Sequence, residues 1–150
     1  MATKYKYDNK RWFQITPKYM GQLFALCNER YFHNTLPTVP IHMTQNPKYA
    51  GYFLWEPHDG QMYVQIRIND TYLYTEWKAV NLLVHEMIHL YTYCYIPTGL
   101  EGHSPAFKGY MKLLNEQYGL NVSIITDTAN WPRSKKDTWF NRFKCKILNV

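Results

Sequence analysis

Apolar residues along this chain repeat with two periods, and the changeovers mark its elements. After Thr16 and Pro17, a helix N-cap and first-turn pair, Met20, Leu23, Phe24, Cys27 and Tyr31 keep helical spacing. Thr35-Leu36-Pro37 and Pro40 end that run near Asn34. Three strand-like pieces follow at 41–44, 50–55 and 61–68, the last alternating through Met62, Val64, Ile66 and Ile68. Residues 56–60, Glu-Pro-His-Asp-Gly, read as a turn closing an antiparallel hairpin, with His58 as a turn residue. The helical period returns from Thr75 or Glu76 to about Tyr95, before Pro97-Thr98-Gly99. Ser104 and Pro105 start a third helix carrying Phe107, Tyr110, Met111, Leu114 and Tyr118, and Gly119 stops it. Residues 1–15 read as irregular or extended, and Val122-Ser123-Ile124-Ile125 as a last strand. The prediction is an α+β fold, three main helices packed on a three- to four-stranded sheet. At 150 residues it forms one domain, 1–150, with its core at about 17–125.

Composition narrows this picture. With 46% hydrophobic and 17% aromatic residues the chain has the material for a core, which excludes a disordered protein. No apolar run reaches the length of a membrane span. The N-terminal residues carry charge without a hydrophobic segment behind them, so no secretory signal is read and the expected location is intracellular, away from membranes. The expected oligomeric state is a monomer. Cys27, Cys94 and Cys145 are odd in number and widely spaced, which argues against a disulfide framework or a zinc ribbon. Cys94 reads as a small buried helix residue.

Charge is concentrated at the two ends. Lys4, Lys6, Lys10, Arg11 and Lys18 face only Asp8 within residues 1–20. Arg133, Lys135, Lys136, Arg142, Lys144 and Lys146 face only Asp137 within 131–150. The overall +6 therefore hides an acidic middle. Trp12, Phe13, Trp131, Trp139, Phe140 and Phe143 interleave with these charges, a composition used on nucleic-acid backbones and unstacked bases. Arg133, Lys135, Lys136, Trp139, Arg142 and Lys144 are the candidate contacts to single-stranded or damaged DNA. Solvated lysine-rich ends are the plainer reading.

The central helix carries the chemistry. His85, Glu86 and His89 stand at H-E-x-x-H spacing, so both imidazoles lie on one helix face and can aim at one point. That point suits one Zn2+, a cation that prefers nitrogen ligands in a tetrahedron and in catalytic sites keeps a position open for water. Glu86 is then the general base. Val80, Leu83, Val84, Met87, Ile88 and Tyr91 form an apolar arc that docks the helix and leaves the histidine edge facing a cleft. Two partly buried, hydrogen-bonded histidines are the alternative, but chance places this pattern in such a chain on the order of once in a hundred or less. A third ligand is needed, and the candidates are His103 and Glu101. His103 is preferred, since it precedes the third helix between Gly102 and Ser104 and adds no charge to a site that already holds a carboxylate. His33 and His42 receive no chemical role.

These motifs together, His85 to His89, the Gly102-His103-Ser104-Pro105-Ala106-Phe107 loop and the earlier Tyr31 to Pro37, resemble the SprT-like (Spartan-type) zinc metalloproteases. The resemblance covers roughly residues 17–125. It implies a compact zincin-like domain, zinc held by residues matching His85, His89 and His103, and catalysis by the match to Glu86. It further implies DNA-dependent proteolysis of DNA-associated or DNA-crosslinked protein substrates. Ser104 stands where glycine is common, and the cysteine-rich zinc ribbon of many members has no counterpart here, which leaves the basic aromatic segment as its substitute. The rival functions are a nucleic-acid-binding module with a structural or vestigial zinc site, favoured by the basic ends, and a partner-binding protein that uses the fold to dock on one target. The intact Glu86 argues against the first of these.

Overall fold

Three hydroxyl side chains start the three helices. Thr16 accepts from the Tyr19 amide at 3.1 Å, Thr75 from that of Lys78 at 3.2 Å and Ser104 from that of Phe107 at 3.2 Å. Each satisfies an amide that the first helical turn cannot bond itself. The structure, a computed structural model, describes residues 2–96 and 102–137. Its elements run α1 (Pro17–Phe32), β1 (Ile41–Thr44), β2 (Gly51–His58), β3 (Gln61–Asn69), α2 (Glu76–Tyr95) and α3 (Pro105–Tyr118). The fold is α+β, three helices with a three-stranded sheet. The helix starts expected at Thr16, Thr75 and Ser104 and the stop at Gly119 agree with it.

The strands lie in the order β1-β3-β2, with β1 parallel and β2 antiparallel to β3. The hairpin turn is tighter than expected. Asp59 and Gly60 alone form it, at φ 51° and 76°, the paired left-handed geometry that suits the twist of a hairpin. Pro57 and His58 consequently belong to β2 and not to the turn. Asn69 donates to the Ala50 carbonyl at 2.7 Å, so Gly51 and Ile68 form a pair without mutual hydrogen bonds. By alternation the amide position of Pro57 points off the sheet, where a missing N–H costs no ladder bond.

Ile66 and Ile68 of β3 pack with Val80, Leu83, Val84, Met87 and Ile88 of α2 in one core, all of them fully buried. Burying each contributes about 1.5–3 kcal/mol. The apolar arc read from the sequence is therefore the docking face of α2. At its far end the helix outlasts its cover: Tyr93, Cys94 and Tyr95 are exposed, which corrects the expectation of a buried Cys94.

The expected strand at Val122–Ile125 does not form. Its backbone groups are taken by side chains instead. Asn115 donates to and accepts from Val122, both at 2.9 Å, and Asn81 accepts from the Asn121 amide at 2.7 Å. The segment is thereby pinned between α3 and α2 as a loop. Residues 2–15 form no helix or strand, in line with the irregular or extended reading, and Phe13 bridges to Tyr74 while Tyr72 bridges to Arg133. The described parts of the two basic ends thus flank one short stretch, 72–74, just ahead of α2.

Candidate metal centre

His85 and His89 stand one turn apart on α2, and both rings meet Phe107 of α3. Gly102, at φ 71°, takes a left-handed turn that a side chain would strain, and His103 follows it directly into the head of α3. The three rings have centroids 5.0–5.2 Å apart, and one nitrogen from each lies within 4.8 Å of the others. His85 Nε2 and His103 Nε2 are 3.1 Å apart. A tetrahedral ion with metal–nitrogen bonds of about 2.0–2.1 Å sets its ligand nitrogens about 3.3 Å apart. The donor set therefore has the chemistry and the spacing for a divalent metal ion.

The protonation pattern agrees with this. The His85 Nδ1–H donates to the Ser123 carbonyl at 2.7 Å, and a carbonyl can only accept, so the lone pair of the neutral ring lies on Nε2. Burial pulls His85 down to about 4, against the Ser123 bond that favours the charged form, and pulls His89 down to about 3. His103 is also lowered, first by burial and then by Lys108. All three rings are neutral at pH 7 and can offer lone pairs. Glu86 is 3% exposed, and burial alone pushes its carboxyl up to about 8.

Phe107 forms a floor beneath the trio. Fully buried in the first turn of α3, its ring centroid lies 5.0, 4.4 and 4.9 Å from those of His85, His89 and His103. Phe53 of β2 also stacks on His89, at 6.2 Å and 15°. Periodicity marks Phe107 only as an apolar position of α3, and Ser123 stands out in no motif. The Ser104-Pro105 helix start, which bonds its hydroxyl to the Phe107 amide, is the one local signal that Phe107 is placed with care.

The remaining candidates fall elsewhere. His33 is the left-handed cap of α1 and His42 is exposed on β1. Glu101, Trp139, Arg142 and Lys144 lie outside the described residues. Arg133 sits over the Tyr72 ring at 4.6 Å and approaches Asp137 at 3.9 Å, while Lys135 and Lys136 are exposed. A residue not singled out by sequence joins the two ends. Lys78 Nζ lies 5.2 Å from the Trp12 ring and 6.0 Å from the Trp131 ring, and donates to Asn9 at 3.1 Å. No helix among the described residues is long and apolar enough to cross a membrane.

Residues 20–127 match the model of the SprT-like family. The DNA-dependent metalloprotease SPRTN of Bos taurus is 30% identical over 111 residues, 73% of this chain. The match covers 23% of that relative's length.

Proposed function

The chain belongs to the SprT-like family, and from that premise we propose that it is a zinc-dependent endopeptidase acting on DNA-associated proteins. His85, His89 and His103 would hold one zinc ion, and residues 1–150 would fold as one protease domain. Bound zinc supplies a Lewis acid that acidifies water and polarises a carbonyl. Glu86 takes the proton of the attacking water and delivers it to the leaving amine nitrogen, so no covalent intermediate with the protein is needed. A neighbouring cation favours the ionised form of Glu86, so the carboxylate base and the metal are present together.

The observation that carries this reading is the convergence of three neutral imidazoles beside a buried carboxyl on the same helix. Histidines kept only for packing would not need three ring nitrogens gathered within 4.8 Å of one another. The DNA side of the proposal has two supports. One is that the bovine relative is a DNA-dependent metalloprotease. The other is the juxtaposition of Trp12, Lys78 and Trp131 with Arg133, Lys135 and Lys136 around one stretch of backbone.

The test is Glu86→Gln, assayed for zinc content and for cleavage of casein and of the chain itself, with and without single-stranded DNA. The expected result is one zinc per chain in both proteins and a loss of turnover of about 10²–10⁴-fold in the variant. Retained turnover removes Glu86 from its role. No cleavage by the wild type under any condition, with DNA still bound, favours the nucleic-acid-binding module instead.

A further inference from the structure

The glycines at 60, 102 and 119 sit at positive φ, where a side chain is strained, but Gly51 does not. It is an ordinary extended residue at the start of β2, fully buried and paired with Ile68. Nothing in its backbone asks for glycine. The space around it does: a Cβ built at Gly51 would stand 2.7 Å from Glu86 Oε1, 3.1 Å from Leu82 Cδ1 and 3.3 Å from Glu86 Cδ. Real Cβ atoms do not approach an oxygen so closely, and the atom most free to retreat is the carboxylate. An alanine at 51 would therefore leave the strand in place and push the carboxylate out of its slot.

We propose that Gly51 is a positioning residue for Glu86, its missing side chain being the space in which the carboxylate rests. The claim builds on the reading of Glu86 as general base, because only a group that must reach a reacting proton makes that slot matter to function. A catalytic group displaced by about 1 Å loses on the order of 10²-fold in rate. A packing defect elsewhere in the core would lower stability without singling out turnover.

The experiment combines Gly51→Ala and Glu86→Ala singly and together, and measures zinc per chain, casein turnover and the urea midpoint. Gly51→Ala is expected to keep one zinc per chain and a KM within about twofold of wild type, while kcat falls about 10²-fold. Its midpoint falls in the wild-type background and stays level or rises in the Glu86→Ala background, where the slot is empty and alanine restricts the unfolded chain. Folding of the double variant where Gly51→Ala alone fails to fold supports the claim equally. An equal midpoint loss in both backgrounds, or failure of both to fold, assigns the glycine to Leu82 packing and overturns the proposal, as does an unchanged kcat or a loss of zinc. Should the wild type cleave nothing, the endopeptidase reading fails, while the unfolding cycle still decides what Gly51 accommodates.

Discussion

The candidate metal centre and the basic aromatic surface are built in opposite ways. The centre takes two of its three imidazoles from one helix turn and the third from the head of the next helix, with Phe107 against all three rings and Phe53 against His89. Its groups are buried or half-buried, and their charge states are set by desolvation. The surface takes Trp12, Lys78 and Trp131 from three stretches far apart in sequence, and its lysines at 10, 135 and 136 are exposed to solvent. Salt screens those lysines within about 8–10 Å at physiological ionic strength. A buried site transmits small displacements into large effects, whereas a solvated surface spreads its effect over many weak contacts.

The largest effect that would separate the two regions is loss of a ligand. His103→Ala should lower zinc affinity by more than the roughly 100-fold that loss of an outer partner costs, read by competition with a chromogenic chelator, and should leave DNA binding intact. Stoichiometric, tight zinc in that variant would place the third ligand elsewhere. Next comes the floor. Phe107→Ala should cost about 3–5 kcal/mol in urea unfolding, and about 10–100-fold in zinc affinity, because the rings lose the surface that orients them. A stability loss without an affinity loss would reduce Phe107 to core packing.

The pH dependence of the metal-free protein sharpens the contrast. His85 and His89 titrate near 4 and 3 in the fold against 6.5 unfolded, so the unfolded chain binds more protons and stability falls as pH drops below about 6.5. Glu86 runs the other way. Its proton is held to about 8 instead of 4.5, so its contribution is lost as pH rises from 4.5 through 8. Between 4.5 and 6.5 the two histidines outweigh the one carboxyl, which puts the stability maximum of chelator-treated protein near pH 6.5. Glu86→Gln should remove the decline between 6.5 and 8, and an unchanged decline would trace it to other groups. The smallest effect belongs to the surface. Lys78→Ala should weaken single-stranded DNA binding with a salt slope shallower by about one, and leave zinc content unaltered. An unchanged slope would mean that Lys78 serves only to hold Trp12 and Trp131.

Much of this architecture was legible because its signals are local. Thr16-Pro17 and Ser104-Pro105 announce helix starts through amides that only a neighbouring hydroxyl can satisfy, and H-E-x-x-H places two rings on one face whatever surrounds the helix. Most of the misread elements depended on what lies across the fold. Residues 122–125 have strand composition, yet Asn81, Asn115 and His85 claim the backbone groups of 121–123 from other elements. Cys94 has helical spacing, but whether α2 is covered that far along is decided by what other elements pack on its last turn. His58 moved from turn to strand because Asp59 and Gly60 suffice to reverse the chain.

By itself the sequence determined the helix boundaries, the hairpin and the identity of the paired histidines and their carboxylate, because covalent spacing and helical geometry leave those groups no other arrangement. The tertiary structure alone decided that His103 closes on the pair, that Ser123 orients His85 and that Gly51 makes room for Glu86. Those relations span up to 38 residues, and distances across such separations arise from the packing of α2 against β2, α3 and the following loop, which no local pattern encodes.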